Sequence, residues 1–381
     1  MTSKEAETPP LFERYPLLGH KLPHVALGEF PTPVQKLERL GAELGIEQLY
    51  VKRDDLSGKL YGGNKPRKLE FTLADALRSG AKEVLTFGGA GSNHALATAL
   101  YARQVGLKSI SMLSPQPNAR YVRDNLLMGH KCGAELHPCG AEPTSLSSVA
   151  PGSLATLYQR VRHRLKSGRF PYVIPMGGSS LPGIAGFVNA AFELERQVAA
   201  GEMPVPEYIY VACGTMGTTA GLVLGMRAAG LESRVVSIRV TGEKSANQAA
   251  MLKLIRKINS FLHSLDPSFP MFQFSGGDLA LRHDYFGKQY ALFTPEAMEA
   301  AAMMRDREGI ELDGTYTGKA FAALVGDARA GRLRDRTVLF WNTRNSRSLA
   351  GAIAGLDYRD LPRCFHQYFE EEVQPLDRTA R

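Results

Sequence analysis

Short apolar runs alternate with longer amphipathic segments along most of this chain, and this alternation constrains its fold more than any other feature. The runs 83–89 (EVLTFGG), 108–114 (KSISMLS) and 207–214 (EYIYVACG) have the composition of buried strands, and segments with the length of helices follow them. Strands that alternate with helices form parallel sheets whose faces are both covered. Because there are too many strands for one compact sheet, the sequence predicts an α/β fold with two lobes.

Length, charge and cysteine content exclude several classes of protein. The chain has 381 residues, more than a single core usually supports. Its formal net charge is +8, but the basic residues are scattered among acids, which argues against a nucleic-acid partner and suits a small anionic ligand. Four cysteines without a CxxC pair indicate reduced thiols. No apolar run could span a bilayer and the N-terminus is polar, so we expect no membrane partner and a cytoplasmic location.

The two ends of the chain give further expectations about local structure. A helix is predicted to begin at Thr32-Pro33, where proline suits a first helical turn. The charged tail 369–381 (FEEEVQPLDRTAR) is predicted to fray. Residues 266–292 show no clear periodicity and are predicted to be irregular.

Two glycine-rich turns each follow a predicted strand and open a predicted helix. They are FGGAGSNHA (87–95) and VACGTMGTTAGL (211–222). Ligands of parallel sheets bind at such strand ends, and glycines let backbone N–H groups approach an anion at a helix start. The alternative is a connection that needs glycine only for its geometry. The phosphate site predicted in the second turn consists of Cys213, Gly214, Thr215, Met216, Gly217 and Thr218.

Lys65 occupies an unusual place for a lysine, because it follows two glycines and an asparagine in YGGNKPRKLE (61–70), at a predicted helix start. The chain has no GxxxxGK[ST], no early GxGxxG and no paired Cys/His spacing, so nucleotide and metal motifs are missing. A phosphorylated cofactor that needs an amine explains both the phosphate site and the lysine, and pyridoxal phosphate, bound as a Schiff base, is such a cofactor. Burial near Arg67 and Lys68 would favour the neutral amine. The alternative is a solvated lysine.

The segment GGNKPRKLEF (62–71) resembles the lysine motif of the 1-aminocyclopropane-1-carboxylate (ACC) deaminase and D-cysteine desulfhydrase family. Further segments match the family in the same order: VKRDDLSG, GGAGSNHA, NLLMGHKCGAEL, VIPMGGSS, ACGTMGTTAGL, DYFGKQYA and LDGTYTGKA. The resemblance covers roughly residues 25–355. It implies the two-lobed tryptophan synthase β-subunit fold (fold type II) of pyridoxal-phosphate enzymes, in a homodimer. It also implies a large cofactor-binding domain (1–68 and 177–381) and a small substrate-carboxylate domain (69–176).

The resemblance also implies which residues hold the cofactor and the substrate. Lys65 would form the Schiff base and move the Cα proton of the substrate. Ser92, Asn93 and His94 would bind the substrate carboxylate at the start of a helix, and Asn93 would also contact the hydroxyl of the pyridine ring. Ser92 has an alternative role as the N-cap of that helix.

Four more residues are implied in the same way. Lys68 would assist the phosphate site, Tyr290 and Tyr316 match two active-site tyrosines of the family, and Thr317 matches the residue beside the pyridine nitrogen. As alternatives, Lys68 could be a surface charge, and both tyrosines could be core residues.

Thr317 favours one of the two reactions of the family. ACC deaminases carry a glutamate at this position, which keeps the pyridine nitrogen protonated, whereas a threonine hydroxyl cannot hold a full proton there. The resemblance therefore implies β-elimination from a small β-substituted D-amino acid, as in D-cysteine desulfhydrases, to give a 2-oxo acid, ammonia and the leaving group. ACC deamination is the alternative reaction. A non-catalytic relative that binds pyridoxal phosphate or an anion is the alternative of another class, and a nucleotide-binding regulator is disfavoured.

Three departures from the family pattern bear on the substrate. Gly91 stands where the family usually has a glutamine. Arg344 and Asn345 replace a glycine pair after the last strand, and Arg344 could bind a second anionic group, block a small substrate or turn to solvent. Residues 264–284 are longer than the family segment and are expected to reshape the entrance.

Overall fold

A computed structural model of the chain describes residues 8–140 and 153–379, so the first residues of the polar N-terminus, which contributed to the expected cytoplasmic location, lie outside it. Its strands are β1 (Val34–Lys36), β2 (Gln48–Lys52), β3 (Glu83–Gly89), β4 (Lys108–Ser114), β5 (Glu135–Pro138), β6 (Tyr172–Ile174), β7 (Tyr208–Cys213), β8 (Arg234–Arg239), β9 (Ala280–Arg282) and β10 (Thr337–Trp341). Its α-helices are α1 (Pro10–Arg14), α2 (Pro16–Lys21), α3 (Glu38–Leu44), α4 (Lys65–Arg78), α5 (Asn93–Gln104), α6 (Arg120–Lys131), α7 (Leu154–Ser167), α8 (Leu181–Ala199), α9 (Gly217–Ala228), α10 (Gln248–Leu265), α11 (Pro295–Glu308), α12 (Thr317–Arg329), α13 (Ala350–Ile353), α14 (Gln367–Glu370) and α15 (Pro375–Thr379).

The strands form two sheets, which confirms the predicted α/β fold. The larger sheet has the order β1-β2-β10-β7-β8-β9, and the smaller sheet has the order β5-β4-β3-β6. Apart from the antiparallel pair β1–β2, the strand pairs of the described residues are parallel. The last strand, β10, lies between β2 and β7, so segments far apart in sequence meet at the carboxyl ends of these three strands.

The smaller sheet takes its strands from the middle of the chain, and the larger sheet takes its strands from both sides of that region. Two separate sheets are what a two-lobed chain requires. We keep the domain boundaries, 1–68 with 177–381 and 69–176, as a proposal.

Apolar side chains cover the larger sheet on both faces, as expected of parallel strands. In β10, Val338 and Phe340 belong to one apolar cluster, whereas Leu339 and Trp341 belong to another. This alternation is the period-two pattern of a strand whose two faces are both buried.

Two local predictions are wrong. The helix expected from Thr32-Pro33 is replaced by β1, because Val34 pairs with Lys52 at the edge of the sheet and this pairing stabilises extended backbone; the helix begins only at Glu38. The tail does not fray over 369–379, because it forms α15 and the end of α14 and is anchored to the rest of the chain. The Gln374 side chain accepts a hydrogen bond from the Phe293 N–H at 2.7 Å.

A buried ion network joins the carboxyl ends of β2 and β10 to α4 and α8. Arg67 donates to both carboxylate oxygens of Asp54 at 2.9 and 2.7 Å and to both oxygens of Glu193 at 2.8 Å. Lys52 donates to Glu193 at 2.6 Å, and the indole N–H of Trp341 donates to Asp54 at 2.7 Å. All five side chains are buried, with Arg67 only 1% exposed. Because a buried charge is costly unless it is paired, each cation of this network requires its carboxylate.

We therefore expect Arg67→Met to lower the free energy of unfolding by about 3–5 kcal/mol, because the two carboxylates would be left buried without their shared partner. Urea denaturation followed by circular dichroism measures the change. Arg329→Met is the matched control, since Arg329 pairs with Glu299 at 2.8 Å on the surface, where both side chains are more than half exposed. The control variant should lose no more than about 1 kcal/mol. Equal losses in the two variants would contradict the assignment of Arg67 to a network of mutually dependent buried charges.

Candidate active site

A cavity lies at the carboxyl ends of β3, β7 and β10, with an empty volume of about 840 Å³ that includes the solvent space at its mouth. Parallel sheets place their ligand sites at this edge. The residues that line it come from within 61–68, 88–94, 212–219 and 343–345, together with Met176, Gly177, Tyr290, Asp313 and Tyr316. Among the predicted site residues, all except Thr317 line this cavity.

Lys65 is the first residue of α4 and lies in the cavity wall. Gly63, which has a φ of +80°, allows a close approach here, because a Cβ atom at this position would lie 2.5 Å from the carbonyl oxygen of Thr343. Burial lowers the pKa of Lys65 to about 8, and the Asp313 carboxylate opposes part of that change. An amine with this pKa is neutral in about a tenth of the molecules at pH 7, far more than for an exposed lysine.

The neighbouring cations do not act as the sequence indicated. Arg67 points into the ion network below the cavity, so the expectation that its charge favours the neutral Lys65 amine is wrong; the cause is burial. Lys68 is 2% exposed and donates to the Gly177 carbonyl at 3.0 Å, so it is not a surface charge. Burial, and then the nearby Lys65, holds the pKa of Lys68 well below its usual value.

The start of α5 presents polar groups to the cavity. Ser92 is the N-cap, since its hydroxyl accepts the Ala95 N–H at 3.1 Å, and it also lines the cavity, so both interpretations of this residue are compatible. The Asn93 side-chain oxygen accepts from the Tyr61 hydroxyl and from Asn125, each at 2.9 Å. These contacts orient the Asn93 amide so that its NH₂ group is left to donate to a ligand.

His94 is buried beside the same helix start, and neither ring nitrogen has a hydrogen-bond partner among the described residues. Burial, followed by the charges of Lys65 and Lys68, holds the pKa of His94 well below its usual value, so the ring is neutral. A buried imidazole without partners indicates that the cavity is shaped for a group that the polypeptide does not supply.

The second glycine turn leads into α9. Met216 adopts a φ of +62°, an uncommon left-handed conformation for this residue, immediately before the first residue of the helix. The first N–H groups of a helix have no partner within it, so they can bind an anion. The Thr218 hydroxyl accepts a hydrogen bond from the Asn64 NH₂ group at 3.0 Å, which connects this turn to the turn that precedes Lys65. Burial raises the pKa of the Cys213 thiol to about 11, so this side chain is neutral beside the turn.

Two tyrosines close another side of the cavity. The hydroxyl groups of Tyr290 and Tyr316 are in direct contact, and both residues line the cavity rather than lying only in a core. Burial raises the pKa of both phenols, so both are protonated at neutral pH. One of the two hydroxyls can donate to the other and leave the second proton for a ligand.

Thr317 lies just outside the cavity lining. Its hydroxyl donates to the Asp313 carboxylate at 2.7 Å and accepts the Asp313 N–H at 2.9 Å. The same carboxylate accepts the N–H groups of Thr315 and Tyr316 at 2.9 and 2.6 Å. The expected contact of Thr317 with the pyridine nitrogen therefore remains a prediction.

The cavity-lining residues that sequence reasoning did not single out include three with polar side chains, Tyr61, Asn64 and Asp313. Tyr61 and Asn64 lie in the quoted lysine motif, and Asp313 lies in LDGTYTGKA, three residues before Tyr316. Their positions within these motifs were the available signal.

Two of the departures from the family pattern, Gly91 and the segment 264–284, can be compared with the structure. The side chain of Gln116 lies next to Gly91. Its oxygen accepts the Gly91 N–H at 3.0 Å, and its NH₂ group donates to the Tyr121 hydroxyl at 2.9 Å. Gln116 thus supplies an amide close to the position where the family usually has a glutamine. The segment 264–284 contributes no residue to the cavity lining, and part of it forms the edge strand β9, so the expected effect on the entrance is not observed.

The cavity fits pyridoxal phosphate. A depressed-pKa amine is available for the aldehyde, a helix start is available for the phosphate, and the Asn93 NH₂ group is available for the ring oxygen. These groups converge on one cavity from both sheets.

Comparison with known proteins agrees with this chemistry. Residues 25–343 match the family model described as pyridoxal-phosphate dependent enzyme, so the chain belongs to that family and takes that cofactor. The D-cysteine desulfhydrases of Salmonella choleraesuis (strain SC-B67) and Serratia proteamaculans (strain 568) are each 33% identical to this chain, over 86% of it and 96% of their own length. A crystal structure of an ACC deaminase homologue is 34% identical, with a TM-score of 0.71, and covers 89% of this chain and 95% of its own.

These findings confirm the resemblance, the fold class and the cofactor expected from the sequence, and the chain is an enzyme. Among the described residues, no helix is both long and apolar enough to cross a membrane.

The assignment of Lys65 to the cofactor predicts a specific chemical adduct. Borohydride reduction of the holoenzyme should leave a pyridoxyl group on the peptide that contains Lys65, and Lys65→Ala should lose both the adduct and the cofactor absorbance. Lys319→Met is the matched control, because burial also lowers the pKa of Lys319 to about 8 but its amine donates to the Phe286 carbonyl, away from the cavity. Peptide mapping by mass spectrometry measures both results. A pyridoxyl group on Lys319 instead of Lys65 would contradict the assignment.

The depressed pKa of Lys65 also predicts how cofactor capture depends on pH. Because only the neutral amine attacks an aldehyde, the rate at which the apoprotein captures pyridoxal phosphate should rise with pH and reach half its maximum near pH 8. Stopped-flow absorbance between about pH 6 and pH 11, a range that spans the ordinary lysine pKa, measures the profile. A midpoint close to the ordinary lysine value would show that burial does not activate this amine.

Proposed function

We propose that this protein is a pyridoxal-phosphate-dependent lyase that removes the β-substituent from a small β-substituted D-amino acid. The observation that carries the proposal is a lysine amine of lowered pKa between two helix starts, one suited to a phosphate and the other to a carboxylate. The identity shared with D-cysteine desulfhydrases supports the substrate class, including its stereochemistry.

In this proposal, the two helix starts divide the binding of the two anions. The turn 213–218 and the buried amine of Lys68 hold the phosphate. The first residues of α5, Ser92 to His94, hold the substrate carboxylate, and the oriented NH₂ group of Asn93 holds the ring oxygen of the cofactor.

When it is bound, pyridoxal phosphate supplies an aldehyde that condenses with amines and a ring that draws electrons away from Cα. Lys65 then accepts the proton from Cα, because its amine lies in the cavity and its depressed pKa lets it exchange a proton near neutral pH. The pair Tyr290 and Tyr316 keeps a phenolic O–H group in the cavity, which donates a hydrogen bond to the leaving group as its negative charge develops.

The proposed reaction balances with water as the second reactant. The Cα–H bond breaks and its proton goes to Lys65, the Cβ–X bond breaks and its electron pair leaves with X, and a Cα–Cβ double bond forms. The released 2-aminoacrylate reacts with water to give a 2-oxo acid and ammonia.

ACC deamination is the second candidate, and the similarity to the ACC deaminase homologue favours it. Against it stands Thr317, since the family resemblance implies a glutamate at this position in ACC deaminases. The Thr317 hydroxyl already donates to Asp313 at 2.7 Å. A hydroxyl that is engaged in this way cannot hold a full proton on the pyridine nitrogen, which ring opening without a Cα hydrogen would require.

We also propose a cytoplasmic homodimer. The homodimer is supported by the family resemblance and by a stripe of exposed apolar side chains on α7, of which Leu154 is 84% and Leu165 is 82% exposed. Light scattering tests this assembly and should give twice the mass of one chain.

The holoenzyme should release pyruvate, ammonia and sulfide from D-cysteine, little product from L-cysteine and no 2-oxobutanoate from ACC. Coupled assays for the 2-oxo acid, with independent measurement of ammonia, give the products of each substrate. Turnover of ACC without activity on D-amino acids would favour the second candidate. Absence of ammonia from a panel of D- and L-amino acids would favour a non-catalytic relative that only binds the cofactor.

A further inference from the structure

Arg344 is a cation of the cavity wall that has no close ion-pair partner among the described residues. It follows β10 and lines the cavity beside the turn that precedes Lys65. Among the described residues, its guanidinium donates no hydrogen bond and its acidic neighbour is Glu311, 4.0 Å away and itself 53% exposed. A pair of this length on the surface contributes little, so Glu311 does not occupy the guanidinium.

Several hydrogen bonds hold the backbone that carries Arg344. The Asn345 side-chain oxygen accepts the N–H groups of Gly62 and Arg347 at 2.7 and 3.1 Å, and the Thr343 carbonyl accepts the Asn64 N–H at 3.2 Å. The Arg344 N–H donates to the side chain of Asn342 at 3.3 Å. These contacts hold the loop against the turn that precedes Lys65, and the Arg344 guanidinium takes part in none of them.

A comparison of the charges explains what this cation can bind. In the proposed function, Lys68 and the start of α9 bind the phosphate, and the start of α5 binds the substrate carboxylate. Within the described part of the chain, the cavity lining contains one carboxylate, Asp313. It already accepts backbone N–H groups at 2.9 and 2.6 Å and the Thr317 hydroxyl at 2.7 Å. Arg344 is therefore left over after both expected anions have been placed.

We propose that Arg344 forms a subsite for a second anionic group, carried on the β-carbon of the substrate as a sulfonate or a phosphate. This inference rests on the proposed function, because it names the class of substituent that the lyase accepts. The planar guanidinium suits such groups, since it can donate two parallel hydrogen bonds to neighbouring oxygens. For a β-sulfonate, the Cβ–S bond breaks and its electron pair leaves as sulfite, with the same 2-aminoacrylate and the same water as in the reaction above.

Binding can be tested separately from turnover with D-aspartate and D-asparagine, which have nearly the same shape, differ in charge and carry no β-leaving group. Spectral titration of the holoenzyme gives both dissociation constants. The unmodified protein should bind D-aspartate more tightly than D-asparagine, and Arg344→Gln should weaken D-aspartate roughly 30-fold or more while changing D-asparagine by less than about 3-fold. Arg344→Lys should recover part of the preference.

Turnover is compared in the same way with 3-sulfo-D-alanine or O-phospho-D-serine against neutral β-chloro-D-alanine. Arg344→Gln should lower kcat/KM for the anionic substrates selectively. Arg347→Gln is the matched control, because it removes the same charge from the same loop but Arg347 does not line the cavity. It should leave the preference for anionic ligands unchanged.

Three results would overturn the proposal. Equal losses for anionic and neutral ligands would assign Arg344 to the α-carboxylate, and no loss for either would place it in solvent. An unmodified protein without preference for D-aspartate over D-asparagine would have no such subsite. Failure of the proposed function is a different result, in which no substrate of the panel yields a 2-oxo acid while the binding preference and its dependence on Arg344 persist.

Discussion

The pairing of two buried cations with two buried carboxylates beneath the cavity determines where the reactive groups lie. Arg67, two residues after Lys65, is held by Asp54 from the turn after β2 and by Glu193 from α8. Trp341, at the end of β10, donates to the same Asp54. The network thus fixes the start of α4 relative to the strand ends around it. Because a buried ion pair is costly to form and more costly to break, its main consequence is a single arrangement of these elements rather than a large net stability.

Sequence patterns were sufficient for the features that depend on local chemistry. A glycine turn before a helix start is a local feature, and so the positions of Lys65, Ser92 and the turn 213–218 could be predicted before any long-range contact was known. The same holds for the parallel sheets, since the alternation of strands and helices is visible along the chain. The cofactor followed from combining two of these local features.

Other features could not be predicted because they depend on contacts between distant segments. The direction in which Arg67 points is decided by Glu193, more than a hundred residues away. The strand β1 replaced a predicted helix because β2 offers a free edge. The order of the larger sheet places β10 between β2 and β7, and this insertion brings Asn345 to Gly62. No local pattern contains that information.

The C-terminal tail illustrates the same point near the active site. Composition predicted fraying, but Gln374 accepts the Phe293 N–H at 2.7 Å and donates to the Ala291 carbonyl at 3.1 Å, next to Tyr290. The Tyr368 hydroxyl accepts the Gln116 N–H at 3.1 Å, and Gln116 in turn supports the turn before Ser92. The tail and the adjoining Tyr368 therefore support two walls of the cavity at once.

Burial is the common cause of the electrostatic state of the cavity. It lowers the pKa of Lys65 and of Lys68, holds that of His94 well below its usual value, and raises the pKa of Tyr290 and Tyr316. In each case the neutral form gains, because a charge is poorly solvated there. Neutral amines can react with carbonyl groups and protonated phenols can donate, so the same desolvation prepares several groups for one reaction. The guanidinium of Arg344 also lines the cavity, and among the described residues its acidic neighbour is the exposed Glu311, 4.0 Å away. A substrate that brings its own negative charge to this guanidinium is therefore distinguished from a neutral one by a long-range attraction before it reaches the amine.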